Sequence, residues 1–433
     1  MAHGVRGDRR CSRGETIVTS PDGVKNGSKM AHGVVARTPV PMKLLIAIPA
    51  FNEEASIQRT IERCLHARQE IIDGSPVTHV EITVVSDGST DRTVELAGRF
   101  GDRIKLIVFP RNRGYGAAIK EAWARSNAEL LGFLDADGTC EPRFFMQLVN
   151  ALAEHRADMA LGCRLNQHSR MPWVRQIGNV VFASILTLLS SSRVRDTASG
   201  MRVVRRACLP ELLPLPDGLH FTPAMSARAM LGGRVRIVEI DMSYAEREGR
   251  SKLRPGRDGL RFMKAILDAA LLYRPARPLA ILGLAWLAVA VVLMLTPTAY
   301  YLAHRSVQEW MIYRFVVSHL AGTLAGLLLC ASYLTDRIVA MALNRRTASL
   351  WDRWFSGRLI WAVPPVLLIG GGLLVLPSFL ELVRTGATYE HWSRFIAMSF
   401  CWVLAAIIAV TKVIEYVLDL LGAQLAQNTS TTD

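Results

Sequence analysis

Four stretches of this chain, Leu279–Leu302, Phe315–Leu334, Leu359–Leu380 and Phe395–Thr411, contain no Asp, Glu, Lys or Arg. A helix needs roughly 20 apolar residues to cross the hydrocarbon core of a bilayer, with a range of about 17–25. All four reach that length, the last at its lower limit, so the C-terminal part of the chain reads as four membrane-spanning helices. Arg337, Arg345, Arg346, Arg353 and Arg358 crowd the link between the second and third spans. The other two links carry Arg305 and Arg314, then Arg384 and Arg394 offset by Glu381 and Glu390. Because basic residues collect on the cytoplasmic side, the crowded link, both termini and everything before the first span are expected there. His319 is the one ionisable group well within an apolar stretch. Either a functional role or a neutral imidazole hydrogen-bonded between helices is expected of it. Lys412 and Glu415 read as the end of the last span, snorkelling outward.

Charge supports the membrane reading. The chain holds 51 Lys and Arg against 37 Asp and Glu, a net +14, and is 50% hydrophobic. Soluble nucleic-acid binders are basic but rarely so apolar, so no nucleic-acid partner is expected. The seven cysteines are scattered and form no CxxC pair, which argues against a zinc site or a disulfide framework. A homo-oligomer stays open, since nothing in the sequence fixes the state of association.

Residues 1–41 are polar, Gly-rich and basic, with no apolar run able to form a signal-peptide core, and read as a disordered tail. Met-Ala-His-Gly-Val recurs at Met1–Val5 and Met30–Val34, so Met30 and Met42 are alternative starts. From Lys43 to about Arg254, short apolar runs alternate with helical stretches. Leu44–Ile48, Glu81–Val85, Ile104–Phe109 and Leu130–Leu134 read as buried strands. Helices are expected from Glu53 to about Arg68, over Asp91–Phe100 and from near Pro142. Strands alternating with helices build a mainly parallel α/β sheet covered on both faces, whose ligands bind beyond the carboxyl ends of the strands. Asp258–Tyr273 then puts Leu260, Met263, Ile266, Leu267, Ala270 and Leu271 on one helical face, with Arg257, Arg261 and Lys264 opposite. That pattern suits an interfacial helix on an anionic membrane or an amphipathic helix packed on the domain, and the spans that follow favour the first. The expected organisation is an α/β domain over 42–256, an interfacial helix over 257–276, a membrane domain over 277–420 and a flexible tail over 421–433.

Polar groups gather where the strands end. Phe133-Leu134-Asp135-Ala136-Asp137-Gly138-Thr139 puts two carboxylates at i and i+2 just past a buried strand. Such hard oxygen ligands suit Mg²⁺ or Mn²⁺, which keep several waters and bind through one or two carboxylates plus substrate phosphates. An ordinary Asp-rich turn is the alternative. In Val85-Ser86-Asp87-Gly88-Ser89-Thr90-Asp91, Asp91 reads as a helix cap and Asp87 as placed to hydrogen-bond a ligand. The first strand runs into Ile48-Pro49-Ala50-Phe51-Asn52-Glu53-Glu54. The third runs into Asn112-Arg113-Gly114-Tyr115-Gly116, whose glycines permit close backbone approach. A GxxxxGK[ST] loop is absent, which disfavours a P-loop NTPase.

These four elements, in this order and spacing, resemble the family 2 glycosyltransferases of the GT-A fold, over roughly Lys43 to Lys252. The resemblance implies a Rossmann-like catalytic domain and a GDP- or UDP-sugar donor. Pro49, Asn52, Glu54, Asp87, Asn112 and Gly116 would bind that donor, with Asp135 and Asp137 holding Mg²⁺ or Mn²⁺ on its diphosphate. Gly162-Cys163-Arg164, the run Met171–Asn179, Asp196-Thr197-Ala198-Ser199-Gly200-Met201-Arg202 and the run Tyr244–Lys252 look further like the polyprenyl-phosphate glycosyltransferases. That group includes the dolichol-phosphate mannose synthase type with appended membrane helices. The likeness implies that Arg164, Arg175 and one of Arg247 or Arg250 face the phosphates, with Asn179, Ser251 and Lys252 on the acceptor side. A forked guanidinium binds phosphate bidentately; a solvated or membrane-facing basic patch is the alternative. Departures from the family pattern at Ser86, Thr139, Tyr115 and Cys163, where Asp, Gln, Lys and Ser are frequent, leave the sugar and nucleotide open.

The implied acceptor, an undecaprenyl or dolichyl phosphate, has a second pKa of about 6 and is mostly ionised at neutral pH. Its oxygen can displace the nucleoside diphosphate in one inverting step without a general base, leaving the protein to position groups and stabilise charge. A hydroxyl acceptor, as in glycolipid or cell-envelope polysaccharide synthesis, requires a carboxylate base. Asp196 is the first candidate for that base and Asp217 the weaker one. With a phosphate acceptor, Asp196 instead orders the loop carrying Arg202, itself counted among the catalytic candidates. Gln-x-x-Arg-Trp, usual in processive synthases, is absent. A weakly catalytic membrane protein handling lipid-linked sugars is the remaining reading, disfavoured by the scarcity of intramembrane charge.

Overall fold

The computed structural model describes residues 15–18, 42–166, 171, 173–190, 192–247, 252, 254–343, 357–387 and 391–430. They fall into two compact units, Met1–Ala269 and Ala270–Asp433.

The first unit begins with β1 (Glu15–Val18), β2 (Met42–Ala50), α1 (Ile57–Gly74), β3 (Val77–Ser86), α2 (Thr93–Gly98) and β4 (Lys105–Val108). It continues with α3 (Tyr115–Ala124), β5 (Leu130–Phe133), α4 (Phe144–Glu154), β6 (Met159–Cys163) and α5 (Trp173–Leu189). Then come β7 (Arg202–Arg205), α6 (Leu209–Leu212), α7 (Phe221–Gly232), β8 (Ile237–Asp241) and the greater part of α8 (Pro255–Tyr273). The strands form one eight-stranded sheet in the order β1-β8-β6-β7-β5-β2-β3-β4. β2 is parallel to β3 and β5, β3 to β4, and β6 to β8. β7 runs antiparallel between β5 and β6. This is the mainly parallel, Rossmann-like sheet expected from the alternation of strands and helices.

Burial explains the centre of the sheet. Leu44 to Ala50 of β2 and Ile82 to Ser86 of β3 are buried without a break, as strands covered on both faces must be. α1 buries Ile57, Ile61, Cys64, Ala67 and Ile71 at helical spacing. Aromatic packing fixes α3: Trp123 lies 6.2 Å from the Phe133 ring of β5 and 5.7 Å from the Phe221 ring of α7. Gly114 precedes α3 with φ +110, and a Cβ there would meet the Asp217 carbonyl oxygen at 2.4 Å. Only glycine fits that bend.

Both expected tails contain regular structure among the described residues. Within the tail expected to be disordered, Glu15–Val18 pairs antiparallel with Ile237–Ile240 of β8 and so covers that side of the strand. The rest of residues 1–41 lies outside the described residues. At the other end, the tail expected to be flexible from 421 is helical to Ser430.

The second unit holds α9 (Ala276–His304), α10 (Ile312–Ala342), α11 (Val363–Thr385) and α12 (Trp392–Ser430). Each is long and apolar enough to cross a membrane, with an 18-residue stretch of mean hydropathy 2.6, 1.8, 2.3 and 2.1 respectively. The Ser318 hydroxyl donates to the Ala290 carbonyl at 2.9 Å and that of Ser332 to the Ala276 carbonyl at 2.8 Å, tying α9 and α10 antiparallel. Lys412 and Glu415 do not snorkel outward. They are 4% and 5% exposed and pair with each other, and the Tyr333 hydroxyl donates to Glu415 at 2.6 Å. The helix runs on past them, so these charges are inside the bundle, where pairing replaces solvation. His319 packs on Phe400 at 5.9 Å, and its Nδ1 has no hydrogen-bond partner among the described residues.

Candidate active site

β2, β3 and β5 are parallel, so their carboxyl ends open on one side, and the turns that follow them border a cavity of about 470 Å³. Of the residues singled out in the sequence, Pro49, Asp87, Asn112, Asp135 and Asp137 line it. So do Arg164, Arg175, Asn179, Arg247 and Lys252. Arg250 and Ser251 lie outside the described residues. One concave space thus joins the acidic groups expected on the donor side to the cations expected to face phosphates.

Three donor-side candidates stand apart from the lining. Asn52, at φ +51, accepts a hydrogen bond from the Thr90 N–H at 2.8 Å. Glu54 accepts from the Arg92 N–H at 3.1 Å. Both stitch the turn after β2 to the turn after β3, so Glu53, not Glu54, faces the cavity. Gly116 donates its N–H to the Asp217 carbonyl at 2.6 Å. Asp87 lines the cavity, but its two oxygens accept the N–H groups of Arg113 and Gly114 at 2.6 and 2.8 Å. Burial pushes its carboxyl up against the pull of those two bonds. Asp87 therefore shapes the 112–116 turn as well as facing the cavity.

The two carboxylates after β5 differ in their partners. Asp135 Oδ1 accepts the Tyr115 hydroxyl at 2.6 Å, and a Cβ on Gly200 would lie 2.0 Å from its Oδ2, so glycine is required opposite it. Loss of water and then the neighbouring Asp137 push the Asp135 carboxyl up to about 7. Asp137 turns Oδ1 to the Thr139 hydroxyl at 2.6 Å and Oδ2 to Arg247 Nη1 at 3.1 Å. Thr139 thus orients Asp137, and its carbonyl accepts the Ala245 N–H at 2.9 Å, seating the segment that carries Arg247.

Across the cavity, Arg164 grips Asp196 with two guanidinium bonds, Nε to Oδ2 at 2.7 Å and Nη2 to Oδ1 at 2.9 Å. The Arg164 N–H and the Asn179 amide add bonds of 3.0 and 2.6 Å. Burial would raise the Asp196 carboxyl, yet the Arg164 charge and these bonds hold it below its ordinary value. Asp196 is fully buried and outside the lining. It anchors Arg164 and Asn179, where the sequence suggested a base or a support for Arg202. Arg202 is also fully buried, its guanidinium spent on the carbonyls of Ser199 and Thr197 and the Ser226 hydroxyl, and burial lowers it to about 10. It braces the 197–199 turn from beneath and does not line the cavity. Lys252, expected on the acceptor phosphate, gives its ammonium to the Phe51 and Asn52 carbonyls and to Glu53.

Sequence reasoning passed over Glu53, and it noted Tyr115 only as a departure from a family pattern. The Asn-Glu-Glu string was the available signal for Glu53. It also missed an apolar part of the cavity, where Phe182 of α5 and Phe262 of α8 meet edge to face at 5.8 Å. On the same two helices, Trp173 and Ile177 of α5 are 71% and 55% exposed, and Leu260 of α8 is 75% exposed.

A profile described as Glycosyl transferase family 2 matches residues 45–213. Low-salt glycan biosynthesis hexosyltransferase Agl6 of Haloferax volcanii is 30% identical over 65% of this chain and 70% of its own length. Dolichyl-phosphate hexose transferase of the same organism is 28% identical over 53% of this chain and 94% of its own. Undecaprenyl-phosphate 4-deoxy-4-formamido-L-arabinose transferase of Proteus mirabilis is 27% identical over 48% of this chain and 61% of its own. With its strand-end motifs gathered around one cavity and four apolar helices following, the chain belongs to glycosyltransferase family 2.

Proposed function

We propose that this protein transfers a sugar from a nucleotide sugar to a polyprenyl phosphate, with inversion, at the cytoplasmic face of a membrane. The observation that carries this reading is the company of charges in the cavity. An acidic pair faces arginines, while the buried carboxylate best placed by sequence to act as a base, Asp196, is already neutralised by Arg164. Asp217, the weaker candidate, is 65% exposed at its side chain and pairs with Lys120 at 2.7 Å. A hydroxyl acceptor would need a base here; an ionised phosphate does not. The names of the two transferases from Haloferax and Proteus point to the same acceptor class.

In this reading the acceptor phosphate sits among Arg164, Arg175 and Arg247, and one of its oxygens attacks the anomeric carbon. The bond from that carbon to the nucleoside diphosphate breaks as the new one forms. Asp196 grips the Arg164 guanidinium and is itself held by the Asn179 amide, which fixes a charge-assisted donor where the phosphate arrives. A divalent cation fits the hard oxygen donors Asp135 and Asp137, neighbouring carboxylates on one turn whose paired arginine, Arg247, is shared with Glu53. Among the described residues no group of three or more His, Cys, Asp or Glu is placed to hold a metal ion. Bound at Asp135 and Asp137, Mg²⁺ or Mn²⁺ would neutralise charge developing on the departing diphosphate. The Phe182–Phe262 wall suits the first isoprene units, and the exposed apolar residues of α5 and α8 suit a bilayer surface. The arginine-rich link between the second and third spans supports a catalytic domain on the cytoplasmic side.

The test uses the full chain in detergent with Mg²⁺, a panel of nucleotide sugars, and undecaprenyl or dolichyl phosphate. Release of nucleoside diphosphate is measured with and without lipid. Lipid-dependent release with one donor is expected, and Asp137→Ala should lower it about 100-fold, the counterpart of roughly 3 kcal/mol. Release indifferent to the lipid would defeat the acceptor assignment, and full activity in Asp137→Ala would defeat the metal assignment.

A further inference from the structure

Glu53 lines the cavity, yet the reaction as described gives it no task. Its backbone is tied down at both ends. The N–H donates to the Thr93 hydroxyl at 2.8 Å, and the carbonyl accepts the N–H groups of Ser56 and Ile57 at 3.1 and 2.9 Å. The side chain is 11% exposed, and its Oε1 accepts from Arg247 Nη2 at 2.8 Å and from Lys252 Nζ at 2.6 Å. The same guanidinium reaches Asp137 Oδ2 through Nη1 at 3.1 Å. One arginine is therefore divided between Glu53, on the turn after β2, and Asp137, on the turn after β5. Its Nε is buried without a partner among the described residues, so neither carboxylate takes the Nε edge of the fork.

We propose that Glu53 is a positioning residue that draws Arg247 partly away from Asp137 and so keeps Asp137 open to a divalent cation. The inference rests on the reading of Asp135 and Asp137 as the metal-holding pair. A guanidinium and a metal ion compete for the same carboxylate oxygens. Left with Asp137 alone, Arg247 would turn one whole edge of its fork to that carboxylate in a bidentate, charge-assisted pair, the strongest arrangement open to it. Glu53 prevents this by supplying a second anion at 2.8 Å. Lys252 keeps Glu53 itself near neutrality, so the row Asp137, Arg247, Glu53, Lys252 alternates in sign. A shared Arg247 would give up Asp137 Oδ2 to a bound metal at lower cost than a bidentate one, and its freed N–H groups could turn to a phosphate.

The experiment measures Mn²⁺ binding to the full chain in detergent by the paramagnetic resonance signal of free Mn²⁺, alone and with UDP or GDP. Glu53→Ala should raise the Mn²⁺ dissociation constant about tenfold, with Glu53→Asp recovering part of the loss. Glu53→Gln, closer in shape, should move the same way and serves if the alanine variant does not fold. The double variant Glu53→Ala with Arg247→Ala should return to the unsubstituted value or below it, because the competing cation is gone. Unchanged binding in Glu53→Ala, or a double variant as weak as the single, overturns the inference and leaves the metal site standing. No Mn²⁺ binding by the unsubstituted protein, at a site removed by Asp137→Ala, overturns the metal reading and this inference with it.

Discussion

The turn before β7 and the turn after β5 both hold aspartates away from bulk water, and they treat them in opposite ways. Asp196 meets the Arg164 guanidinium at 2.7 and 2.9 Å, and its carboxyl is held below the ordinary value. Asp135 meets a neutral hydroxyl, Tyr115, at 2.6 Å, lies beside a second carboxylate, and is pushed up to about 7. The first turn carries its own counter-charge and is complete as folded. The second has only a shared counter-charge: the arginine on Asp137 is divided with Glu53, and Asp135 meets no cation among the described residues. A carboxylate that serves the framework is folded with a cation of its own, and one that serves a ligand is left with a divided one or none.

The harshest way to break this contrast is Asp196→Ala. It strands the Arg164 guanidinium, which is 9% exposed, and should cost about 3–5 kcal/mol in unfolding of the full chain. Asp135→Ala should show no such loss. The sign with pH follows from the lowered carboxyl. The stability that Asp196 contributes is fully present above the ordinary value of 3.8 and disappears as pH falls through its lower folded value. A general base at this position would behave differently: Asp196→Asn would spare stability and abolish activity alone.

The same contrast separates what the sequence reveals from what it conceals. Asp135 and Asp137 are two residues apart, on a turn after a buried strand, so one local pattern announces them. Asp196 finds Arg164 across 32 residues and Asn179 across 17, and nothing local says that these three will meet. Glu53 and Glu54 look equivalent in the sequence. The turn at Asn52, with φ +51, sends one into the cavity and the other to the Arg92 N–H. Arg247 reaches Glu53 across 194 residues, beyond any motif. The spans were legible because length and hydropathy are additive along a helix, but the direction of Lys412 and Glu415 was not. A charged pair ends a helix or lies inside a bundle according to neighbours that composition does not name.

A milder perturbation sharpens the comparison through pH. Burial and the neighbouring Asp137 push the Asp135 carboxyl up, so it keeps its proton to higher pH than an ordinary aspartate. A metal taken up by Asp135 must displace that proton, so Mn²⁺ affinity should rise from pH 6 to pH 8 and level off above it. Asp135→Asn should flatten the profile. Because the folded carboxyl lies above its ordinary 3.8, its contribution to stability is greatest below that value and declines as pH rises to about 7. The metal-free protein should therefore unfold more easily at pH 8 than at pH 6 by an amount that Asp135→Asn removes. A profile flat in the unsubstituted protein would erase the distinction between the two turns.

The smallest effect is expected from Tyr115→Phe, and it is the most selective. The hydroxyl donates to Asp135 and steadies its ionised form, opposing the loss of water and the repulsion from Asp137. A single neutral hydrogen bond is worth about 0.5–1.5 kcal/mol net. Its removal should weaken Mn²⁺ binding at pH 7 by about 2- to 10-fold and move the pH profile upward. Phe221, 6.4 Å from the Tyr115 ring, keeps the ring packed, so unfolding should hardly change. The counterpart at the other turn, Asn179→Ala, removes one of the bonds to Asp196 but leaves the guanidinium in place. It should leave the pH profile of Mn²⁺ binding where it was, since an aspartate already matched by arginine does not depend on a neutral donor to stay charged.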